Sequence, residues 1–475
     1  MIRRSTRVRT TRAAAAFVAT AVLATLVALP ASARTRQAVP AAQQGITSDQ
    51  IQVVLLIPDI DTLKSKGISS LSTNESFTKK FTGYVDAFGP INGRKVNVKV
   101  LGWDPIDATS FDRVCTEATQ DTKPFVVVNG TGYQTAAIPC IAVDNKTPFV
   151  YGDQVSTNVQ KAAGKNLVAV REPTEVTAAT TAAIIAKENM IPKSAKIGIL
   201  SNNEPTLKAG ADKLESLLKK KGYNVVSKVE VNGLSSDLGT IFQGSAAAAD
   251  TMKAAGVDTV IHTQSFSTLR PFFTQADKIG AQFKYFGMDA QASGCQPDSD
   301  NVRDMPKSVD GMQCVTTTDF KTLPDLSGLK ADSAFEATCR QQYDAATGKP
   351  SVPGSYGQDI GGTVYAEDFP AKECNIASIL LPAIKKAGKN PTWDKVYANI
   401  MKTTKTPMAY ASDGQGGYAK NKAYMPTKAQ VAVLHYATAD TPKDANGLYN
   451  GCPLPTTCFV PKTFGTQQWF PLQSN

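Results

Sequence analysis

Polar residues that could do chemistry collect at the carboxyl ends of short apolar runs. Asp59 and Asp61 follow residues 51–57, and Gly130-Thr131-Gly132 follows 125–128. Asp153 and Gln154 follow 148–151, Asn203 follows 196–200, Gln264 and Phe266 follow 257–262, and Asp289 follows 285–287. The Gly-Thr-Gly loop offers backbone N–H groups and one hydroxyl, which suit a carboxylate or another acceptor; it also suits a plain tight turn. Asp59 with Asp61 suits a cation or a polyol, or the caps of a loop. Asp289 suits a ligand donor, or the N-terminus of the next helix. For catalysis the chain offers little. It has two histidines, His262 and His435, and only His262 ends a strand-like run near these loops. No Gly-x-Ser-x-Gly elbow, His-Glu-x-x-His helix or Gly-x-x-x-x-Gly-Lys loop accompanies it. These residues are equipped to hold a small polar molecule rather than to transform one. A secreted hydrolase acting through His262 is the alternative from another class.

The apolar runs must position those loops. Residues 51–57, Ile-Gln-Val-Val-Leu-Leu-Ile, have the near-continuous aliphatic character of a strand buried on both faces, as in a parallel sheet. Phe77, Phe81, Tyr84, Val85 and Phe88 recur at helical spacing; Gly89-Pro90 stops that helix and Asn92-Gly93 turns the chain. Val96, Val98 and Val100 alternate into a second strand. The alternation continues with strands at 124–128 and 148–151. It restarts after Pro173 with strands at 196–200, 224–231, 257–262, 285–287 and 311–317, separated by helical segments. Strands alternating with helices predict doubly wound α/β architecture, whose ligands bind at the carboxyl ends of the strands. Trp103 is expected to pack at the sheet edge. Tyr356 is a further candidate for the same cleft.

Composition sets outer limits. The chain has 475 residues, 42% hydrophobic and 19% charged, enough for one large or two medium cores and too few charges for a disordered chain. The formal net charge is +10, of which five arginines (Arg3, Arg4, Arg7, Arg9, Arg12) precede an apolar run, leaving 10 − 5 = +5. No basic run with interleaved aromatics lies beyond that start, so no nucleic-acid partner is expected. Residues 1–33 read as a secretory signal: basic start, apolar run 13–29, and Ala31-Ser32-Ala33 as the cleavage site. An uncleaved anchor is the competing reading, against which the run is short and alanine-rich. The mature chain is expected to be soluble in the periplasm or cell envelope.

Gly45-Ile46-Thr47-Ser48-Asp49-Gln50-Ile51 resembles the mature start of type I solute-binding proteins, the leucine/isoleucine/valine-binding family of ABC transporters. Tyr84-Val85-Asp86-Ala87 with Ile91-Asn92-Gly93-Arg94, and then Trp103-Asp104-Pro105, resemble further segments of that family at matching spacing. The resemblance runs from about Gly45 to Tyr436. It implies two Rossmann-like lobes joined by a three-stranded hinge: lobe 1 from 45–170 and 320–408, lobe 2 from 171–319 and 409–445. A signal (1–33) and a flexible leader (34–44) precede them, and a disulfide-containing extension (446–475) follows. The resemblance places ligand contacts on Thr131 and Gly132, on Asp153 and Gln154, on Asn203, on Gln264 and Phe266, and on Asp289, which falls where the family has its ammonium-binding glutamate. A charged residue and an amide stand where the family has small residues at 153–154, and no aromatic stands at 202–205. These departures point away from a branched-chain amino acid and toward a more polar or larger solute.

Eight cysteines in an exported chain imply disulfides, with 105 possible connectivities. Neighbour pairing (Cys115–Cys140, Cys295–Cys314, Cys339–Cys374, Cys452–Cys458) keeps each bridge within one lobe or the extension. A zinc site lacks a Cys-x-x-Cys pair and a nearby histidine. The implied function is non-catalytic capture of a small polar solute, such as an amino acid or related compound. No cofactor or metal is called for, and an ABC transporter permease is the expected partner. A sensor that hands occupancy to a receptor is the alternative within binding.

Overall fold

A computed structural model describes residues 43–473 apart from 67–72, 105–106, 108, 131–136, 234–236, 265, 291–294, 296–304, 320–332, 352–370, 453–454, 456 and 463–467. The expected signal segment, Thr131, Gly132 and Tyr356 lie outside the described residues, as does the Phe266 side chain.

The first aliphatic run forms β1 (Gln50–Pro58), and its side chains alternate between two helical layers. Ile51, Val53, Leu55 and Ile57 pack with one layer, whereas Val54 and Leu56 pack with the other. This two-sided burial is why the segment carries no polar face. The run with Phe77, Phe81 and Tyr84 forms α2 (Asn74–Phe88), opened by a Thr73/Ser76 capping box. Asn92 and Gly93 then both take positive φ (51° and 85°) in the turn leading to β2 (Lys95–Trp103). Trp103 is buried at the edge strand, its ring 5.5 Å from Phe111. With β3 (Val126–Asn129), β4 (Phe149–Tyr151) and β5 (Leu167–Ala169), the first sheet has the order β2-β1-β3-β4-β5, every pair parallel. The sequence reading has no strand at β5; three residues are too few to show a period.

A second sheet repeats the plan. β6 (Lys196–Asn202), β7 (Asn224–Val231), β8 (Thr259–His262), β9 (Lys284–Met288) and β10 (Gln313–Thr316) stand in the order β7-β6-β8-β9-β10, again parallel. One layer beside it holds α5 (Thr174–Lys187) and α6 (Pro205–Lys220); the other holds α7 (Leu238–Ala254) and α8 (Phe266–Lys278). The chain then returns to the first core with α9 (Ala334–Thr347), α10 (Ala371–Lys386) and α11 (Trp393–Met401). Met408, Ala409, Tyr418 and Met425 also pack there, and the Tyr418 hydroxyl donates to the Ala169 carbonyl at 3.1 Å. The short pair β11 (Thr406–Pro407) and β12 (Gln415–Gly416) precedes β13 (Lys428–His435), which joins the second sheet antiparallel to β10.

Backbone therefore passes between the two sheets near 170–172, 317–319 and 427–428. The second and third passages are tied through residues 410–412: Ser412 N–H donates to the Thr317 carbonyl at 2.7 Å and Asp319 N–H to the Tyr410 carbonyl at 3.1 Å, while Ser412 Oγ accepts from the Thr427 and Lys428 N–H groups at 2.9 Å each. The tail, whose job the sequence does not reveal, covers the outer edge of β13. β14 (Cys458–Pro461) and β15 (Phe470–Pro471) both pair with β13, and Phe470 packs with Ile184 and Val431. Covering an apolar edge strand removes a template for aggregation. Among the described residues no helix is long and apolar enough to cross a membrane.

The cysteines bond in sequence order: Cys115–Cys140, Cys295–Cys314, Cys339–Cys374 and Cys452–Cys458. The third joins α9 to α10 across 35 residues, whereas the fourth closes only 6. On loop-closure entropy, removing Cys339–Cys374 (both to Ala) is expected to cost about 4 kcal/mol and removing Cys452–Cys458 about 2 kcal/mol. Urea unfolding of the two double variants checks the order, which equal or reversed costs would contradict.

Candidate functional site

The carboxyl ends of both sheets face the passages between them, and buried charge converges there. Asp153 and Gln154 leave β4, Arg171 and Glu172 leave β5, Asp289 leaves β9, and Thr316 and Thr317 end β10. None of these seven residues is more than 6% exposed. The Arg171 Nη2 donates to Asp289 Oδ2 at 2.7 Å, and Thr316 Oγ1 donates to the same oxygen at 2.5 Å. Arg171 also lies 3.5 Å from an Asp153 oxygen and 3.7 Å from Glu172. Lys372, at the start of α10, donates to the other Asp153 oxygen at 2.7 Å. Glu172 accepts from Gln154 Nε2 and Thr177 Oγ1, each at 2.9 Å, and from Thr317 Oγ1 at 3.4 Å.

The electrostatics follow from this geometry. Burial works against the Arg171 charge, but Asp289, Glu172 and Asp153 more than offset it and hold the guanidinium protonated. Burial likewise opposes ionisation of Asp153, and Lys372 with Arg171 overcomes it, so its pKa lies below the usual carboxylate value. Glu172 goes the other way: burial raises its pKa although Arg171 opposes the shift. Removing one partner from such a buried network leaves an uncompensated charge and typically costs about 3–5 kcal/mol.

Of the residues singled out from sequence, Asp153, Gln154, Gln264 and Asp289 are fully buried at strand ends, and the first two join Asp289 through Arg171 and Glu172. Gln264 anchors its amide on the Ser201 carbonyl at 2.8 Å. Asn203 is exposed, bonding to Asn232 at 3.2 Å and to the Gly233 N–H at 3.0 Å, and it makes no contact with this cluster among those described. Asp59 caps α1 (Ile60–Ser65) through the Thr62 N–H at 3.1 Å. Gly130 is required by close approach, because a Cβ there would collide with the Glu373 carboxylate. His262, the base of the hydrolase reading, is 1% exposed, packs edge-on to Phe273, and has its pKa pushed down to about 3 by burial. It is a neutral core residue.

Sequence reasoning missed Arg171, Glu172, Lys372 and Glu204. An Arg-Glu pair between a buried strand and an alanine-rich helix was the available signal. Glu204 caps α6 through the Leu207 N–H at 2.9 Å, its other oxygen is unpartnered, and burial raises its pKa to about 7. A separate polar pocket of about 260 Å³ lies at the opposite, amino edge of the first sheet, against Phe125, Thr147 and Trp393, remote from this charge cluster.

Because Glu204 binds its proton more tightly in the folded than in the unfolded chain, its contribution to stability falls as pH rises from about 4.5 to 7. Glu204→Gln keeps the capping oxygen and removes the titration. It is expected to be more stable than the parent at pH 8 by up to about 3 kcal/mol, with the gain vanishing near pH 4. Urea unfolding across that range tests this, and a pH-independent difference would contradict it.

Comparison with known proteins agrees with this architecture. The periplasmic binding protein family profile matches residues 69–427, well over half of the chain. A search of curated proteins finds no match. Among solved structures, a branched-chain amino acid ABC transporter protein from Thermus thermophilus with bound valine is 15% identical (TM-score 0.59), covering 91% of this chain and 98% of its own. A leucine-, isoleucine-, valine-, threonine- and alanine-binding protein from Brucella ovis, in a closed conformation, is 14% identical (TM-score 0.60; 89% and 95% covered). An ABC transporter solute-binding protein from Rhodopseudomonas palustris in complex with 3,4-dihydroxybenzoic acid is 15% identical (TM-score 0.57; 87% and 98% covered). Because that profile covers well over half of the chain, the chain belongs to the periplasmic binding protein family.

Proposed function

We propose that the protein is the solute-binding component of an ABC importer, exported after removal of a signal segment, and that it hands its ligand to a membrane permease unchanged. The observation that carries this reading is the buried cluster at the passages, where Arg171 spans from Asp153 of the first sheet to Asp289 of the second. A ligand seated there touches both bodies only when they are closed, so it favours the closed form by the contacts that the open form lacks. Micromolar affinity, about 8 kcal/mol, exceeds a hinge preference of a few kcal/mol. The two bodies divide near residues 170–172, 317–319 and 427–428, and the loop at 153–154 meets Asp289 across Arg171. The ligands bound in two of the similar structures, valine and 3,4-dihydroxybenzoic acid, are both small and carboxylate-bearing. They support the size of the guest more than its chemistry.

The test is recovery of bound solute by native mass spectrometry, followed by small-angle scattering of the stripped and reloaded protein. Reloading is expected to reduce the radius of gyration and to return the solute intact. A radius that does not change, or a chemically altered solute, would end this reading.

A further inference from the structure

The buried cluster has an unfilled half. Asp289 Oδ1 and Gln264 Oε1 have no hydrogen-bond partner, and Arg171 Nη1 has none either, only a 3.5 Å ion pair with Asp153 Oδ1, although the three residues are 0%, 0% and 6% exposed. Unpaired polar atoms at such depth are costly, and native proteins rarely carry them without a reason. Their placement is ordered. Gly287 of β9 lies beside His262 of β8, and Asp289 and Gln264 follow two residues later, just past the ends of these neighbouring strands. The Gln264 amide donates to the Ser201 carbonyl at 2.8 Å, which leaves its oxygen as the free atom. Arg171 enters from the passage after β5, where its Nη2 holds Asp289.

The charges beside these atoms are already engaged. Arg171 pairs with Asp289, Lys372 pairs with Asp153, and Glu172 accepts from Gln154, Thr177 and Thr317. An ammonium arriving at Asp289 would have to displace the guanidinium or sit beside it. A carboxylate arriving at Arg171 would join a guanidinium already shared by three acids. Either ion adds a buried charge with no partner of its own. A hydroxyl does neither, and it supplies one donor and two acceptor sites. Neighbouring hydroxyls can accept from Arg171 Nη1 and donate to Asp289 Oδ1 together, while another donates to Gln264 Oε1.

We propose that this cleft selects an uncharged polyhydroxylated solute, a sugar or polyol, read by Arg171 Nη1, Asp289 Oδ1 and Gln264 Oε1. The proposal rests on the solute-binding function above and replaces the ammonium that Asp289 would otherwise receive with the chain's own Arg171.

The experiment is a thermal-shift and calorimetric panel on the full mature chain with ribose, glucose, myo-inositol, sorbitol, leucine, putrescine and 4-hydroxybenzoate. At least one sugar or polyol is expected to raise the melting temperature. Its Kd should be nearly unchanged between low and high salt, because no net charge is transferred. Gln264→Met keeps the volume and removes the acceptor. It is expected to weaken that ligand by roughly tenfold, read as Kd on the folded protein, and to lower the unliganded melt through loss of the amide bond to the Ser201 carbonyl. A charged member that binds more tightly than every sugar and polyol overturns the selectivity and leaves the transport reading standing. Equal Kd values in parent and Gln264→Met overturn the assignment of Gln264. No shift from any member, together with no solute recovered from the native protein, overturns both readings.

Discussion

The structure turns on a buried guanidinium. Arg171 sits where the backbone first leaves one sheet for the other and is held among three carboxylates from both sides. Such an arrangement is expensive to desolvate and stable only when each partner stays in place. It therefore constrains everything around it. Asp153 must be reached by Lys372 from α10, Glu172 by Gln154, Thr177 and Thr317, and Asp289 by Thr316. One ion-pair network thus draws together loops from both sheets and the second passage.

The two sheets explain why the network lies there. Each repeats the same order, with its first strand inside, its second outside, and the next three on the other flank. Reversal of that order opens a crevice at the strands' carboxyl ends. Polar groups are tolerated only at those ends, since the strands themselves are covered by helices on both faces. Functional chemistry and the burial of the sheets are thereby separated along each strand. The tail adds to this plan without touching the crevice, completing the edge of β13 and packing Phe470 on α5.

Particular residues show how much was legible. The alternating α/β plan and the strand-end loops follow from periodicity, because two-sided burial leaves an aliphatic run bounded by polar residues; Asp153, Gln154, Gln264 and Asp289 were singled out by the family resemblance, and their depth is set by the fold. β5 was not legible, since Leu167–Ala169 is too short to show a period. Which of Asn203 and Glu204 turns inward was not legible, because both are polar and only the turn onto α6 buries Glu204. Arg171 was passed over because a charged residue before a helix usually lies in solvent.

The chain's own pattern of aliphatic runs, helical repeats and breakers determined two parallel sheets with polar loops at one end of each. That information is local, written in periods of two and of 3.6 residues. Which polar residues meet was decided only by tertiary structure. Arg171 and Asp289 are 118 residues apart, and Lys372 and Asp153 are 219 apart. No local signal specifies such pairs. They form because packing the two sheets across shared passages leaves those side chains no water, and a buried charge must then find its opposite within the protein.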